Sequence, residues 1–341
     1  MKRCGVCNTV LEVVLDLGKQ PIANNFITKE QFGSEYFYSS ELAFCPNCFA
    51  VQMVNHPEVG DVFNENYAFF TSTSEYMKRK YKLLAESIES RLEDNSLVID
   101  IGGNDGTLLS NLKAECAVLN IEPSANVAEI CENMGITTLV EFFDSDIADS
   151  VLNDYGSADV ITTMHTFGHV YTPSNFVEGI KKLLKPKGVW ILEESYIGSM
   201  LRKIAYDQIY NEHVFYFSIV ALNNLLKRYD LGIERIEFPV QHGGSIRYDI
   251  THASNISDEA HAMLDTMIKQ EGLHSTKSLL KFGDFVRESK RILVKYLTEL
   301  RDNGQEIVGY GAAAKSTTIL NYCDIDSSLI SKIYDTTPLK H

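Results

Sequence analysis

The stretch "QIYNEHVFYFS", Gln208–Ser218, sets Tyr210, Glu212 and His213 directly before an aromatic run. Such a run fills a core, and a core excludes titratable side chains unless each has a partner. A solvated helix end, a satisfied core network and a piece of active site all fit the triplet locally. Two other patterns carry chemistry. "CGVC" (Cys4, Cys7) and "CPNC" (Cys45, Cys48) are matched C-x-x-C pairs. Each offers two thiolates to one tetrahedral ion, and two such knuckles complete a Cys4 zinc shell. A redox C-x-x-C occurs singly at a strand-to-helix junction, so structural zinc is the expectation.

The third pattern is "VIDIGGNDGTLL", with Asp100, Gly102, Asn104, Asp105 and Gly106 in a strand-to-helix junction. Glycines there allow backbone to approach a ligand, and the following helix offers its first amides. Dinucleotide sites use G-x-G-x-x-G for a pyrophosphate. Here the spacing differs, and two carboxylates suit a cationic ligand such as S-adenosylmethionine (SAM). Glu122 ends the next strand, where an acid bonds a ribose diol. Phe143 and Asp144, in "FFDSD", stand where class I methyltransferases cradle adenine, and "LLKPKGVWIL" is similar to the Leu-Lys-Pro-x-Gly turn of those enzymes. His165, at the end of "ADVITTMH", joins the expected cofactor residues. Asp105 has a plainer alternative as a cap at Thr107.

These residues need a frame. With 341 residues, 45% of them hydrophobic, the chain has material for two or three domains. No stretch has the roughly 18 consecutive apolar residues of a membrane helix. "MKRCGVCNTV" lacks the apolar core of a secretory signal. A cytoplasmic protein is expected. The net charge of −15 argues against nucleic-acid binding, while a local group of cations can still serve an anionic small ligand. Seven cysteines imply no disulfide framework in that compartment, and Cys116, Cys131 and Cys323 read as structural thiols.

Strand-like "VLEVVLDLG" and "YSSELAFC" lie between the cysteine pairs, as in a small β module. Ser72 or Ser74 caps a helix with Met77, Tyr81, Leu84, Ile88 and Leu92 at helical spacing. Then β and α alternate: "SLVIDIG", helix "GTLLSNLKAE", "AVLNIE", helix "SANVAEICENMG", "ADVITTMH", helix "TPSNFVEGIKKLL", "GVWILEE". That order predicts an α/β fold with a doubly wound parallel sheet and a ligand at the carboxyl ends of its strands. Long helices fill about 255 to 302, and a last βα signal, "QEIVGYGAAAKSTTILNYC", reads as an incomplete Rossmann-like unit. The expected domains are 1–70 (zinc), 71–200 (SAM) and 201–341 (substrate).

In this order, the paired knuckles, "LDLGKQPIANNF", "YAFFTSTS", "IDIGGNDGTLL", "YNEHVFYFS", "QHGGSIR" and "GYGAAAK" resemble the sugar C-methyltransferases that make branched-chain deoxysugars. The resemblance covers essentially the whole chain. It implies a zinc-bound N-terminal domain, a class I SAM domain and a C-terminal domain around a nucleotide-diphosphate-linked keto-sugar. Methylation next to a ketone needs a base at the carbon and donors at the enolate oxygen. His213 matches the family's proposed base, Tyr210 and Glu212 its neighbours, and Tyr67 a tyrosine reaching in from the N-terminal side. Glu212 would orient the imidazole or hold a sugar hydroxyl. His242 and Arg247 of "QHGGSIR" offer a polar loop, with Arg247 able to meet a phosphate bidentately. Lys315 is the candidate for the nucleotide diphosphate. O- or N-methylation of another small molecule, and a non-catalytic SAM-fold binding protein, are the competing readings.

Overall fold

The strand expected in "SLVIDIG" runs Leu97–Ile101 (β1) and is buried along its whole length, as an interior strand of a parallel sheet must be. The computed structural model describes residues 2–64, 67, 69–113 and 116–336, the side chain of His242 excepted. Ala117–Ile121 (β2), Thr137–Leu139 (β3), Ala158–Met164 (β4) and Leu184–Ser195 (β5) join β1 in parallel. Leu231–Glu237 (β6) and Ser245–His252 (β7) follow. The sheet order is β6-β7-β5-β4-β1-β2-β3, with β7 antiparallel to both neighbours. The chain moves outward from β1 in both directions, so the switch point lies between β1 and β4, where such sheets hold ligands.

Three local expectations change. Residues 231–252, assigned from the sequence to the substrate segment, complete this sheet. Ile246, Tyr248 and Ile250 are buried there against β5, which removes an open edge. The "LLKPKG" turn is a bulge inside β5, where the register jumps from Ala158 opposite Leu184 to Val160 opposite Val189. Among the described residues, the helix expected in "GTLLSNLKAE" is one short 3-10 turn, Leu109–Asn111; Ala114 and Glu115 lie outside them. Asn111 Nδ2 donates to the Thr107 carbonyl at 2.7 Å. An α-helix would give that carbonyl to the Asn111 amide, so the side chain competes with the helix.

The helix Glu75–Glu89 forms as its spacing predicts. Ser74, rather than Ser72, caps it by accepting from the Met77 amide. Met77, Tyr81, Leu84 and Ile88 pack with Val98, Leu108, Leu109, Val160 and Ile191. A second ring cluster joins Phe143, Phe167, Phe176 and Trp190. This sheet and its helices form one compact unit, Val59–Tyr196 with Ile219–Gly272.

The second unit comprises Met1–Glu58, Ile197–Ser218 and Leu273–His341. Its antiparallel sheet places Glu12–Pro21, Phe37–Phe44, Val51–Met53 and Phe215–Tyr216 side by side. Leu15, Leu42, Phe44 and Met53 meet Met200, Tyr206, Leu279, Phe282 and Val286 in its core. Three of those last residues lie on the helix Lys277–Asp302. The last βα signal gives the strand Val308–Tyr310, the helix Ala314–Tyr322 and the parallel strand Lys332–Tyr334.

Trp190, the single tryptophan, is fully buried beside β4, with its Nε1–H donating to Thr163 Oγ1 at 2.9 Å. Its emission therefore reports unfolding of the first unit. Ile99→Ala, in the centre of β1, is expected to lower the urea unfolding free energy read this way by about 2–5 kcal/mol.

Candidate active site and zinc centre

The zinc knuckles are two copies of one local geometry. In each, the residue after the second cysteine takes a left-handed backbone, Asn8 at φ 62° and Phe49 at φ 65°. Its amide bonds the first cysteine's carbonyl at 2.9 Å in both knuckles. The Val6 amide points at Cys4 Sγ (3.4 Å) and the Cys48 amide at Cys45 Sγ (3.5 Å). All four Sγ atoms lie within 4.8 Å of one another, with Cys4–Cys48 at 3.6 Å and Cys7–Cys45 at 3.4 Å. Zn–S bonds of about 2.3 Å in a tetrahedron put sulfurs about 3.8 Å apart. The cluster fits zinc, and neither knuckle lies at a strand-to-helix junction. Loss of the ion is expected on Cys45→Ser, with wild type giving one zinc per chain and the variant none by metal analysis.

The glycines of the loop make room for neighbouring side chains of the protein itself. A Cβ on Gly103 would collide with Asn120 Oδ1 and lie 2.7 Å from Asp100 Oδ2. One on Gly102, at φ 68°, would strike Thr166. Asn104 has a left-handed backbone, φ 53°. Its amide donates to Glu122 Oε2 (3.1 Å), and the Ser124 amide donates to Glu122 Oε1 (2.9 Å). Each oxygen of this carboxylate retains a second lone pair. Burial pushes Glu122 above the usual carboxylate range, against the pull of those amides. A side-chain-free loop beside a strand-end acid fits SAM.

Other loop acids face inward. Asp100 is 2% exposed, and its Oδ1 accepts from Thr162 Oγ1 at 2.7 Å. Burial pushes it up to about 7, so it is a weaker counter-ion than an exposed aspartate. Asp105 accepts from the Ser72 amide at 2.8 Å and from Thr107 Oγ1, while Asn104 Oδ1 accepts from the Thr71 amide at 2.9 Å. Asp105 thus ties the Thr71–Thr73 turn to the loop, closer to its plainer reading than to cofactor contact. Gly106 makes room for Cys131 Sγ, 2.7 Å from where its Cβ would stand. Asp144 caps the helix Ser145–Tyr155, its Oδ1 accepting from the Asp146 and Ile147 amides at 2.9 Å. The Phe143 ring packs edge-on to Phe176 at 4.9 Å.

At the ends of β4 and β5 lies a cluster the sequence did not single out. Glu193 has no solvent-exposed side-chain surface. It pairs with Lys80 Nζ (2.5 Å), Arg247 Nη2 (2.8 Å) and His165 Nε2 (3.2 Å), and accepts from Gln241 Nε2. Burial alone would raise its pKa; the His165 hydrogen bond and the Lys80 and Arg247 charges outweigh this and hold it well below the carboxylate range. Arg247 also pairs with Glu237 at 3.1 Å. It is therefore engaged by carboxylates, where the sequence pointed to a phosphate. His165 holds Glu193 at φ 58°. Next along β5, burial pushes Glu194 up to about 8, against hydrogen bonds from the Gly168, Phe167 and Thr166 amides. His169, beside Phe63 at 5.5 Å between centroids, is pushed down to about 3 by burial.

Tyr67 packs on Phe63 (5.3 Å), and its carbonyl accepts from Asn126 Nδ2 at 2.9 Å. Tyr210, Glu212 and His213 belong to the other unit. There His213 Nδ1 lies 2.9 Å from the Gln208 carbonyl, and Nε2 lies 2.9 Å from the Tyr210 hydroxyl. A carbonyl can only accept, so Nδ1 carries the proton of the neutral ring and Nε2 presents a lone pair. Gln208, given no role in the sequence reading, orients the imidazole. Glu212 instead accepts from Asn24 Nδ2 and is 5% exposed. The Asn211 side chain accepts from the Ala23 amide at 2.8 Å, tying this string to "PIANNF". Lys315 begins the helix Ala314–Tyr322, its pKa lowered by burial against the charge of Asp207. The side chain of His242 lies outside the described residues.

Three domain families match the chain in succession: a zinc binding domain over residues 4–63, a methyltransferase domain over 71–236, and the C-methyltransferase C-terminal domain over 240–341. This succession marks the chain as a SAM-dependent methyltransferase. Its cofactors are SAM and zinc. The curated C-methyltransferase NovU of Streptomyces niveus is 25% identical over 348 residues, spanning 99% of this chain and 82% of the relative. Similar solved structures include the mitomycin 7-O-methyltransferase MmcR (17% identity, 53% of this chain and 56% of that chain, TM-score 0.41). Another is magnesium protoporphyrin IX methyltransferase ChlM from Synechocystis PCC 6803 with bound SAM (12% identity, 51% and 79%, TM-score 0.39). Among the described residues no helix is long and apolar enough to cross a membrane.

The raised carboxyls Asp100, Glu122 and Glu194 make stability depend on pH. Asp100 and Glu194 hold protons more tightly folded than unfolded, so their contribution is complete below about pH 4. It is lost as pH rises through about 7 for Asp100 and about 8 for Glu194. Glu193 runs oppositely, its contribution being present above the ordinary carboxylate range. Between pH 5 and 8 the unfolding free energy is expected to fall by up to about 1.4 kcal/mol per pH unit per raised group. Asp100→Asn with Glu194→Gln should flatten that slope in urea titrations read by Trp190.

Proposed function

We propose that this methyltransferase acts in the cytoplasm on a nucleotide-diphosphate-linked keto-deoxysugar, methylating the carbon next to its ketone. The observation that carries the reading is the oriented His213, with Nδ1–H on the Gln208 carbonyl and the Nε2 lone pair facing the Tyr210 hydroxyl. Methylation at the carbon next to a ketone requires removal of its C–H proton to give an enolate, a task for a positioned base whose ordinary pKa lies near neutrality. The motif resemblance to sugar C-methyltransferases supplies the substrate class.

Bound SAM supplies an electrophilic methyl group, and Gly102, Asn104 and Glu122 are the residues we assign to hold it. His213 Nε2 takes the proton from the carbon, which becomes nucleophilic as its charge moves onto the carbonyl oxygen. The Gln208 carbonyl stabilises the resulting imidazolium through Nδ1–H. The Tyr210 hydroxyl turns from Nε2 to the ketone oxygen when substrate binds, which frees the Nε2 lone pair for the proton and leaves the hydroxyl donating to the enolate oxygen. Glu212, fixed by Asn24, accepts from a sugar hydroxyl. With Arg247 engaged by Glu193 and Glu237, Lys315 is the cation assigned to the diphosphate.

Incubation with SAM and a panel of nucleotide keto-sugars should add one methylene to the mass of a substrate, with the new methyl on carbon by NMR. His213→Ala should lower turnover by about 10²–10⁴-fold while SAM affinity by calorimetry stays within about twofold. Near-normal turnover by that variant would remove His213 from the mechanism.

A further inference from the structure

The helix Ala314–Tyr322 gives its most buried position to a hydroxyl. Thr318 is 1% exposed, and it alone of that helix is buried. A threonine inside a helix commonly turns its hydroxyl back on the carbonyl four residues earlier. Thr318 instead donates out of the helix, from Oγ1 to the Ile209 carbonyl at 2.9 Å, across 109 residues of chain. An apolar side chain would fill that place without burying a polar group. The hydroxyl there points to a task. Ile209 is itself fully buried, and a buried carbonyl left without a donor costs stability.

What this bond holds is the peptide unit that carries Tyr210. The Ile209 carbonyl and the Tyr210 amide lie in one plane, so fixing the oxygen fixes the direction in which the Tyr210 Cα leaves it. The links on either side have their own anchors. The Ile209 amide donates to the Tyr206 carbonyl and the His213 amide to the Tyr210 carbonyl, both at 3.0 Å. The Gln208 carbonyl takes His213 Nδ1–H at 2.9 Å and the Tyr216 hydroxyl at 3.0 Å. Asn211 and Glu212 are tied to Ala23 and Asn24, and Thr317 Oγ1 reaches the Ala23 carbonyl at 3.5 Å from the same helix as Thr318. All of these residues belong to the second unit.

We propose that Thr318 is a positioning residue for the proton transfer: by holding the Ile209 carbonyl it aims the Tyr210 hydroxyl at His213 Nε2. The proposal rests on the reading of His213 as the base. Thr318 acts through the main chain and need not touch substrate or cofactor. Reacting groups misplaced by a fraction of their contact distance lose rate steeply, so a distant hydroxyl that sets their geometry acts on turnover rather than on affinity.

Nitrogen-15 NMR of the His213 ring in the full, zinc-loaded chain reads the pair without substrate. Tyr210→Phe removes the hydroxyl and marks where Nε2 resonates without it. Thr318→Val keeps the shape of the side chain but removes the donor, and should move the Nε2 signal toward the Tyr210→Phe position. Thr318→Ser, which keeps the hydroxyl, should return it. Turnover of the nucleotide keto-sugar is the second readout. Thr318→Val should lower kcat about tenfold or more, with KM and the SAM Kd within about threefold of wild type. Thr318→Ser should recover kcat, as a variant affecting bulk packing alone would not. An Nε2 signal and a kcat both left at wild type by Thr318→Val overturn the proposal, as does a raised KM with kcat unchanged. Should Thr318→Val fail to fold, Thr318→Ala decides on the same signal: a shift supports the positioning role, and a wild-type position overturns it. His213→Ala separates the two levels. Near-normal turnover in His213→Ala removes the base, and this proposal with it. Turnover lost in His213→Ala, beside an unmoved Nε2 signal in Thr318→Val, overturns the role of Thr318 alone.

Discussion

Carboxyl groups taken out of water at one edge of a sheet must each find donors, and the first unit is organised around meeting that demand. Asp100 takes the Thr162 hydroxyl, and Glu122 takes the amides of Asn104 and Ser124. Glu193 gathers Lys80, His165, Gln241 and Arg247. These donors come from a helix, a strand end, a 3-10 turn and β7, so satisfying the acids fixes the segments that surround the glycine loop. The energetic sense is clear for Glu193: an uncompensated buried charge costs several kcal/mol, whereas a paired one with further hydrogen bonds is tolerated. Asp100 and Glu194 meet the same demand differently, by keeping a proton at or near neutral pH.

The second unit uses a metal and a backbone carbonyl to similar ends. The Cys45–Cys48 knuckle joins the strands Phe37–Phe44 and Val51–Met53, and Val51–Met53 pairs in turn with Phe215–Tyr216. The Met53 amide donates to the Val214 carbonyl at 2.8 Å, one residue from His213. Zinc therefore braces the sheet on which the Tyr210–His213 pair is mounted, an account of why a structural ion accompanies a methyltransferase fold. The Phe215–Tyr216 strand answers why an aromatic run follows a titratable triplet: the aromatics are the anchor, and the polar residues have partners.

Much of this was readable in the sequence where the signal is local. The knuckle spacing, a serine cap at Ser72 or Ser74, the helical recurrence of Met77, Tyr81, Leu84 and Ile88, and the alternation of strands and helices all rest on neighbours a few residues apart. Glu122 at a strand end and the glycines after β1 were legible for the same reason. What escaped depends on partners far along the chain. Whether Arg247 meets a phosphate or a carboxylate is decided by Glu193, 54 residues away. Residues 231–252 read as a separate segment until β7 is seen beside β5. The group orienting His213 is the main-chain carbonyl of Gln208, which leaves no mark in residue type. "ILEE" did offer a hint, since two acids at the end of an apolar strand need explaining.

In the proposed reaction this chain activates a carbon, not a hydroxyl or amine. Solvent deuterium exchange tests it most directly: a nucleotide keto-sugar substrate is incubated with the protein in deuterated water without SAM, and the carbon next to the ketone is followed by NMR. Deuterium is expected to enter at that carbon with the wild-type chain and not with His213→Ala. Methylation of the same substrate by SAM with no exchange at that carbon, or equal exchange with both proteins, would contradict it.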